Sequence, residues 1–379
     1  MKWVRSSQEL SKLTREISTL RTLAIDTEAD SLHSYFDKVC LIQLSDEKED
    51  YLIDPLADID LQPFGAILSD KAITKIFHGA DYDLRILDRD FGIEVHNLVD
   101  TMICAQLLGY EAFGLAALLK RHFDLEVDKS HQRADWSMRP ITPEMARYAA
   151  MDTHYLIRLA VILRDELRAL GRWEWAEEEF LRLEAIRFHE DEDQERFRKI
   201  KGAAKLDRRS LALLAKLYQW RDGRARRADK PPFRILGNEA MIEIARTFPE
   251  ETRELLKIKG VSSYHLSHFA DEILGAVRDA RQLDESELPE KIDPRPWRRD
   301  NALERRIDRL KRVRNEVAAS LKIEPSVVAP RHLLAAVAEM RPSSPEELDQ
   351  IPAMRRWQRD VLGEKLVAAL ALETSPQDQ

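Results

Sequence analysis

The chain has 379 residues, 44% of them hydrophobic and 34% charged, so it is long enough for two or three packed domains. Its apolar runs fall far short of the ~20 residues of a membrane span. The N-terminus lacks the apolar stretch of a signal peptide, and two cysteines are too few for a disulfide framework. The net charge of −8 does not exclude a nucleic-acid partner, because basic residues cluster at 221–234 and 295–314. We expect a cytoplasmic protein without a membrane partner.

The first half of the chain alternates strand-like and helix-like patterns. Short β-branched runs predict strands at 22–26, 39–44, 50–54 and 73–78, with a fifth near 95–99. Helical patterns follow or separate them at 7–20, 64–68, 82–91, 101–108, 115–123 and 143–170. This order predicts an α/β fold with a mixed sheet flanked by helices.

From about residue 171 the strand patterns disappear, and helices separated by proline and glycine remain. A shift of 93 positions superimposes the last helical block on the preceding one without a gap, matching Pro232 with Pro325 and Pro249 with Pro342. We therefore predict a duplicated helical module, preceded by a long linking helix at 173–201. The predicted boundaries are 1–170 for the α/β domain, 171–206 for the linking helix, 207–282 for the first module, 283–299 for a linker, 300–372 for the second module and 373–379 for a tail.

The first chemical signal is a pair of acids, Asp26 and Glu28, near the end of the first apolar strand. Residues i and i+2 of a strand point to the same side, so both carboxylates can be directed at one point. Like charges held so close require a compensating cation. The alternative is that Asp26 caps a turn and Glu28 is solvated.

A second acid, Asp83, follows a strand that ends at His78 and a turn at Gly79. We expect Asp81 to be the N-cap of the next helix and Asp83 to lie in its first turn, where the helix dipole favours a negative charge. In this position Asp83 can also face the sheet.

The third signal is Tyr148 with Asp152, four residues apart on a predicted helix and therefore on one face of it. The alternative is an ordinary amphipathic helix with a solvated Asp152.

Taken in this order, the three motifs resemble those of the DEDDy exonucleases, and the segments 133–140 and 148–156 resemble ribonuclease D in particular. Where the ribonuclease D pattern has leucine and glutamine, this chain has Ile141 and Met145, and neither change touches the acids. The resemblance covers about residues 1–170. It implies a ribonuclease H-like sheet and 3′–5′ exoribonuclease activity that releases 5′-mononucleotides.

The resemblance also implies two divalent ions, Mg²⁺ or Mn²⁺, held by carboxylate oxygens. Asp26 would bridge both ions, with Glu28 and Asp152 completing the site that activates water. Asp83 would support the second ion, and Tyr148 would orient the attacking water. Further candidates for substrate contact are Thr27, His78 and Trp136.

Two of these candidates have structural alternatives. His78 can be a strand-end histidine bonded to the backbone rather than a substrate contact. Trp136 can stack on a base or anchor its loop in the core.

The segment 207–281 resembles the HRDC domain, and 300–372 resembles a diverged second copy in which Ile351 begins a replacement for the Lys–Gly turn. This resemblance implies nucleic-acid binding, although the mixed charges at 304–316 also suit a solvated helix face. We predict a monomeric enzyme that trims RNA 3′ ends, with tRNA precursors as the expected substrates. The alternatives are a DNA 3′–5′ exonuclease and a catalytically silent RNA-binding scaffold.

Overall fold

The computed structural model describes residues 1–128, 130–189, 195–291 and 300–371, which form two compact units. Unit 1 contains the described residues within Met1–Ala29, Val39–Phe188 and Arg299–Gln379. Unit 2 contains those within Asp30–Lys38 and His189–Arg298. No helix among these residues has the length and apolar character needed to cross a membrane. The predicted tail at 373–379 and residues 292–299 of the predicted linker lie outside the described residues.

A mixed sheet forms the centre of unit 1, with the strands in the order β1-β4-β3-β2-β5-β6. Strand β2 is antiparallel to β3, and β3 to β4, whereas the other neighbours are parallel. This arrangement confirms the predicted α/β class, although the short edge strand β1 was not predicted. The strands are β1 (Lys2–Val4), β2 (Thr22–Ala29), β3 (Val39–Ser45), β4 (Asp50–Ile53), β5 (Thr74–Phe77) and β6 (Leu98–Asp100).

Helices flank this sheet: α1 (Ser7–Ile17), α2 (Gln62–Ser69), α3 (Asp81–Phe91), α4 (Thr101–Leu108), α5 (Leu115–Phe123), α6 (Pro143–His154), α7 (Leu156–Ala169) and α8 (Trp173–Glu184). The single helix predicted at 143–170 is wrong, because the chain breaks at Tyr155 into α6 and α7. The linking helix predicted at 173–201 is also wrong, since α8 ends at Glu184. Beyond it the backbone bonds to α3 instead of continuing the helix: the Phe188 N–H donates to Asp88 at 2.8 Å.

Helix α6 covers the face of the sheet that carries Asp26. Leu41 and Leu52 of that face are fully buried in an apolar cluster with Ala149 of α6. On the same face of β3, the Ser45 hydroxyl lies 2.6 Å from the hydroxyl of Thr153 in the last turn of α6. Buried contacts in the middle and in the last turn of α6 therefore fix its height and rotation over β2 and β3.

Unit 2 is a helical bundle formed by α9 (Arg208–Ala228), α10 (Pro232–Ile235), α11 (Asn238–Thr247), α12 (Thr252–Leu255) and α13 (Ser263–Gln282). Residues 30–38, which connect β2 to β3 in the chain, belong to this unit. The Tyr35 hydroxyl donates to Asp222 at 2.8 Å, and the Asp229 carboxylate accepts the backbone N–H groups of Tyr35 and Phe36.

The remaining helices of unit 1 are α14 (Asn301–Leu321), α15 (Pro325–Val328), α16 (Arg331–Met340) and α17 (Arg356–Ala371). The bounds of α14, α15 and α16 are those of α9, α10 and α11 plus 93 residues, as the internal repeat predicts. These helices pack on α8 through Trp357, whose ring stacks on Trp175 at a centroid distance of 4.9 Å, and through Arg355, which donates to Glu179.

Candidate active site

Three carboxylates meet where α6 crosses β2. Asp26, Glu28 and Asp152 each offer an oxygen atom, and these atoms all lie within 4.8 Å of one another. Asp26 and Glu28 reach this point because they alternate on one face of β2, paired with Gln43 and Leu41 of β3. The structure thus brings together three of the acids that the sequence motifs single out, and β2 continues past Asp26 and Glu28 to Ala29 instead of ending at Asp26.

The fourth acid, Asp83, lies in the first turn of α3, where its side chain is 6% exposed. It accepts a hydrogen bond from the Thr27 hydroxyl. Thr27, a candidate for substrate contact, thus uses its hydroxyl to hold Asp83. The expectation that Asp81 caps this helix is wrong, because α3 begins at Asp81 itself and the exposed Asp81 carboxylate pairs with Arg85 at 2.8 Å.

A residue that the sequence reasoning missed, Asp100, holds the turn before α3. Its carboxylate is 1% exposed and accepts the N–H groups of Gly79 at 3.0 Å and Ala80 at 2.8 Å. It also caps α4 by accepting from Met102 and Ile103. The available signal was an aspartate directly before a predicted helix, which is a typical N-cap position.

His78 and Tyr148 line the same pocket as the four acids, a cavity of about 610 Å³. The His78 Nδ1 atom lies 2.9 Å from the Thr101 hydroxyl, which itself donates to the Phe77 carbonyl oxygen at 3.0 Å. One ring nitrogen of His78 is thus engaged by a side-chain hydroxyl and not by the backbone, as the structural alternative had it, and the residue still borders the pocket.

Trp136 does not border this pocket. Its side chain is 1% exposed and packs beneath Tyr148, with the two ring centroids 6.0 Å apart. A base cannot reach the indole in this arrangement, so the stacking role considered for Trp136 is replaced by the alternative, an anchor in the core.

Burial and mutual repulsion strongly disfavour the ionised acids. Burial, followed by the Asp152 charge, raises the pKa of Asp26 well above its usual range. Burial and the charge of Asp26 raise the pKa of Glu28 to about 10, and burial raises the pKa of Asp152 to about 7. The pKa of Asp83 is raised by burial and by Asp26. A bound cation would offset the repulsion between the ionised carboxylates.

The donor set suits a hard divalent cation. The grouped atoms are carboxylate oxygens, which Mg²⁺ and Mn²⁺ prefer over nitrogen or sulfur ligands. A cation here would compensate the charge that the protein otherwise neutralises by protonation. The residues therefore fit a divalent metal site.

Comparison with known proteins places these features in a family. The model of a 3′–5′ exonuclease family matches residues 1–168, and the HRDC domain model matches residues 210–277 and 303–370. The chain is 32% identical over 290 residues to ribonuclease D of Musicola paradisiaca, covering 76% of this chain and 77% of that protein. It is 29% identical to ribonuclease D of Pseudomonas paraeruginosa, covering 98% of this chain and 97% of that protein.

Solved structures agree. The crystal structure of Escherichia coli RNase D, an exoribonuclease involved in structured RNA processing, matches with a TM-score of 0.73 at 28% identity, covering 98% of this chain and 99% of that one. A protein from Bifidobacterium adolescentis matches with a TM-score of 0.83 at 25% identity, covering 98% and 97% of the two chains.

The mixed sheet, its acid group and the helical modules thus define a 3′–5′ exonuclease followed by HRDC domains. The chain belongs to the ribonuclease D family, and its activity is that of a hydrolytic 3′–5′ exoribonuclease.

Proposed function

We propose that the enzyme removes nucleotides one at a time from RNA 3′ ends, releasing 5′-mononucleotides, with two divalent metal ions in the pocket described above. The observation that carries this proposal is the convergence of Asp26, Glu28 and Asp152 within 4.8 Å, with Asp83 and Tyr148 lining the same pocket. When bound, a pair of such ions supplies an activated water and neutralises charge on the entering and leaving oxygens.

The acids of the pocket have different proposed roles according to their positions. Asp26, Glu28 and Asp152 would hold one ion, which would supply the activated water. Asp26 also lies close to Asp83, because its charge contributes to raising the pKa of Asp83, and these two residues would hold the second ion. Mg²⁺ is the ion we expect, with Mn²⁺ as a substitute that the same oxygen ligands accept.

Tyr148 orients the attacking water and does not act as a base. Burial and the charges of Asp152 and Glu28 raise the pKa of this phenol, so it stays protonated throughout the physiological range. A protonated phenol can donate or accept one hydrogen bond at a fixed position, which suits the alignment of a water molecule.

We propose structured RNA 3′ ends, including tRNA precursors, as the substrate class. Support comes from the relationship to E. coli RNase D and from the HRDC domains. The basic cluster at 221–234 contributes less surface than its sequence suggests. Arg221 is 7% exposed and donates to the Leu236 carbonyl oxygen, and Arg224 pairs with Glu272. Arg227 and Lys230 remain exposed and are the candidates for phosphate contact in this helix and its C-terminal turn.

The test is digestion of 5′-labelled RNA and DNA single strands of matched sequence by the monomeric fraction of the protein, with Mg²⁺ or with EDTA. We expect stepwise shortening of RNA with Mg²⁺, little shortening of DNA, and loss of activity in Asp26→Asn. Asp81→Asn is the matched control, because Asp81 is an exposed acid outside the cluster whose loss removes one surface ion pair. Equal shortening of DNA would indicate a general exonuclease, and RNA binding without shortening would indicate a silent scaffold.

A further inference from the structure

Gln43 is a buried amide without a hydrogen-bond partner. Its side chain is 0% exposed, and neither its Nε2 nor its Oε1 atom makes a hydrogen bond to any described residue. Leaving a buried donor or acceptor unpaired disfavours the folded state. An apolar residue of similar size would avoid this cost, so the amide requires a reason to be there.

The sheet register places Gln43 beside the candidate metal ligands. It is the direct partner of Asp26 in the antiparallel ladder of β2 and β3, and directly opposite residues project from the same face of a sheet. That face also carries Leu41, which is the ladder partner of Glu28, and Ser45. Gln43 thus lies on the same side of the sheet as both acids of β2.

Helix α6 closes this position from above. Ala149 packs in one apolar cluster with Leu41, and Thr153 meets Ser45, the residues that precede and follow Gln43 on its face of β3. The stretch of α6 between these two contacts carries Asp152. Gln43 is therefore enclosed by Asp26 at its side and by the turn of α6 that ends at Asp152.

We propose that Gln43 is a positioning residue for the metal ligands, whose amide N–H groups donate to the carboxylates of Asp26 and Asp152 when a divalent ion is bound. Ligating carboxylates are commonly held by outer hydrogen-bond donors, and loss of such a partner typically weakens metal binding by about 10–100-fold. This inference rests on the proposed metal-dependent function.

The proposed role predicts that replacing the Gln43 amide affects the stability of the metal-free protein and its metal affinity in opposite directions. Without metal the Gln43 amide is an unsatisfied polar group that disfavours the fold. With metal bound, its N–H groups would donate charge-assisted hydrogen bonds to the ligating carboxylates, and such bonds are stronger than neutral ones. Replacing the amide by an apolar group should therefore leave the metal-free protein at least as stable while weakening its metal binding.

The experiment compares the wild type with Gln43→Met, an unbranched apolar residue of similar size. Two quantities are measured: Mn²⁺ affinity, from the electron paramagnetic resonance signal of free Mn²⁺ in a titration, and the Tm in EDTA. We expect the Mn²⁺ affinity to fall about 10–100-fold, while the Tm in EDTA is equal to or above that of the wild type.

Gln358→Met is the matched control, because Gln358 is also a buried glutamine, but its amide donates to the Val328 carbonyl oxygen, outside the acid group. It should lower the Tm in EDTA and leave the Mn²⁺ affinity unchanged. If Gln43→Met does not fold, Gln43→Asn retains an amide drawn back by one methylene and should bind Mn²⁺ more weakly than the wild type.

Unchanged Mn²⁺ affinity in the Gln43 variant would overturn the positioning role, and an accompanying drop of the Tm in EDTA would assign Gln43 a purely structural one. Failure of the wild type itself to bind Mn²⁺ would overturn the proposed metal-dependent function, and this inference with it.

Discussion

Thr27 donates its hydroxyl hydrogen to the buried carboxyl group of Asp83. Thr27 lies between Asp26 and Glu28 on β2 and thereby fixes the position of the acid of α3. One strand thus sets the positions of three of the four acids. Asp83 is not part of the group formed by Asp26, Glu28 and Asp152, and this bond holds it beside that group.

Replacing Thr27 by valine keeps the shape of the side chain and removes the donor. We expect kcat/KM on labelled RNA to fall about 10–100-fold, because an outer-shell partner of a metal ligand is lost. Thr19→Val is the control, since the Thr19 hydroxyl bonds only to the carbonyl oxygen of Glu16 at the end of α1. An unchanged kcat/KM in Thr27→Val would show that Asp83 needs no such support.

Asp100→Ala should lower both stability and activity. Removing this carboxylate leaves the N–H groups of Gly79 and Ala80 unpaired, and that of Ala80 is buried. At about 1–3 kcal/mol for a buried unpaired group, we expect a loss of at least about 2 kcal/mol in urea denaturation. Because the same turn leads into Asp83, RNA cleavage should also fall at temperatures where the variant is fully folded. Normal cleavage by the folded variant would separate the turn from the site.

Metal binding should depend steeply on pH. In the metal-free protein the pKa values of Glu28, at about 10, and of Asp152, at about 7, are raised above those of the unfolded chain. The folded state therefore holds protons that the unfolded state has lost, so these groups lower the free energy of unfolding as pH rises from about 4 through the raised values. A bound ion reverses this trend, because it requires ionised ligands and displaces the protons.

The expected result is a Tm increase on adding Mg²⁺ that grows from pH 6 to pH 8, with proton release on binding. Calorimetric titration in two buffers of different ionisation enthalpy measures that release. Asp26→Asn should show neither effect. A Tm increase of equal size at both pH values would contradict the assignment of the bound protons to the acid group.

Trp136→Phe should leave the KM for RNA unchanged within about twofold, because the indole is buried under Tyr148 and its Nε1 atom has no partner among the described residues. Trp136→Ala should instead destabilise the protein by about 3–5 kcal/mol through the cavity it creates. A clear rise of KM in Trp136→Phe, with stability unchanged, would restore a role in stacking on a base.

The sequence predicted the α/β class and the chemical set of acids because strand alternation and helical spacing are local properties. It did not predict that α6 and α7 are separate helices or that the chain leaves the helical path after Glu184, since both depend on tertiary contacts such as that of Phe188 with Asp88. Gln43 and Asp100 were not predicted as residues of the site for a related reason. The role of a single polar residue in an apolar strand, or of a common cap residue, depends on the residues that the fold places beside it.

Arginine clusters were the least reliable sequence signal. Arg221 and Arg314, matched by the 93-residue repeat, each donate to a backbone carbonyl oxygen 15 residues further on, Leu236 in one copy and Ala329 in the other. Both therefore serve the fold of their own module, and charge counted along the sequence overestimates the surface that can meet RNA.

The two compact units are built from segments that are not consecutive in sequence, so cutting the chain at one position does not separate them. The segment 30–38 joins two neighbouring strands of the sheet, yet its tyrosine, Tyr35, and the backbone around it are bonded by Asp222 and Asp229, nearly 200 residues later. A fragment ending at residue 188 would keep this segment and lose both partners, leaving an aromatic loop exposed two residues after Glu28. Removing the helical modules to study catalysis alone would thus produce a protein with an altered active-site strand connection, prone to self-association.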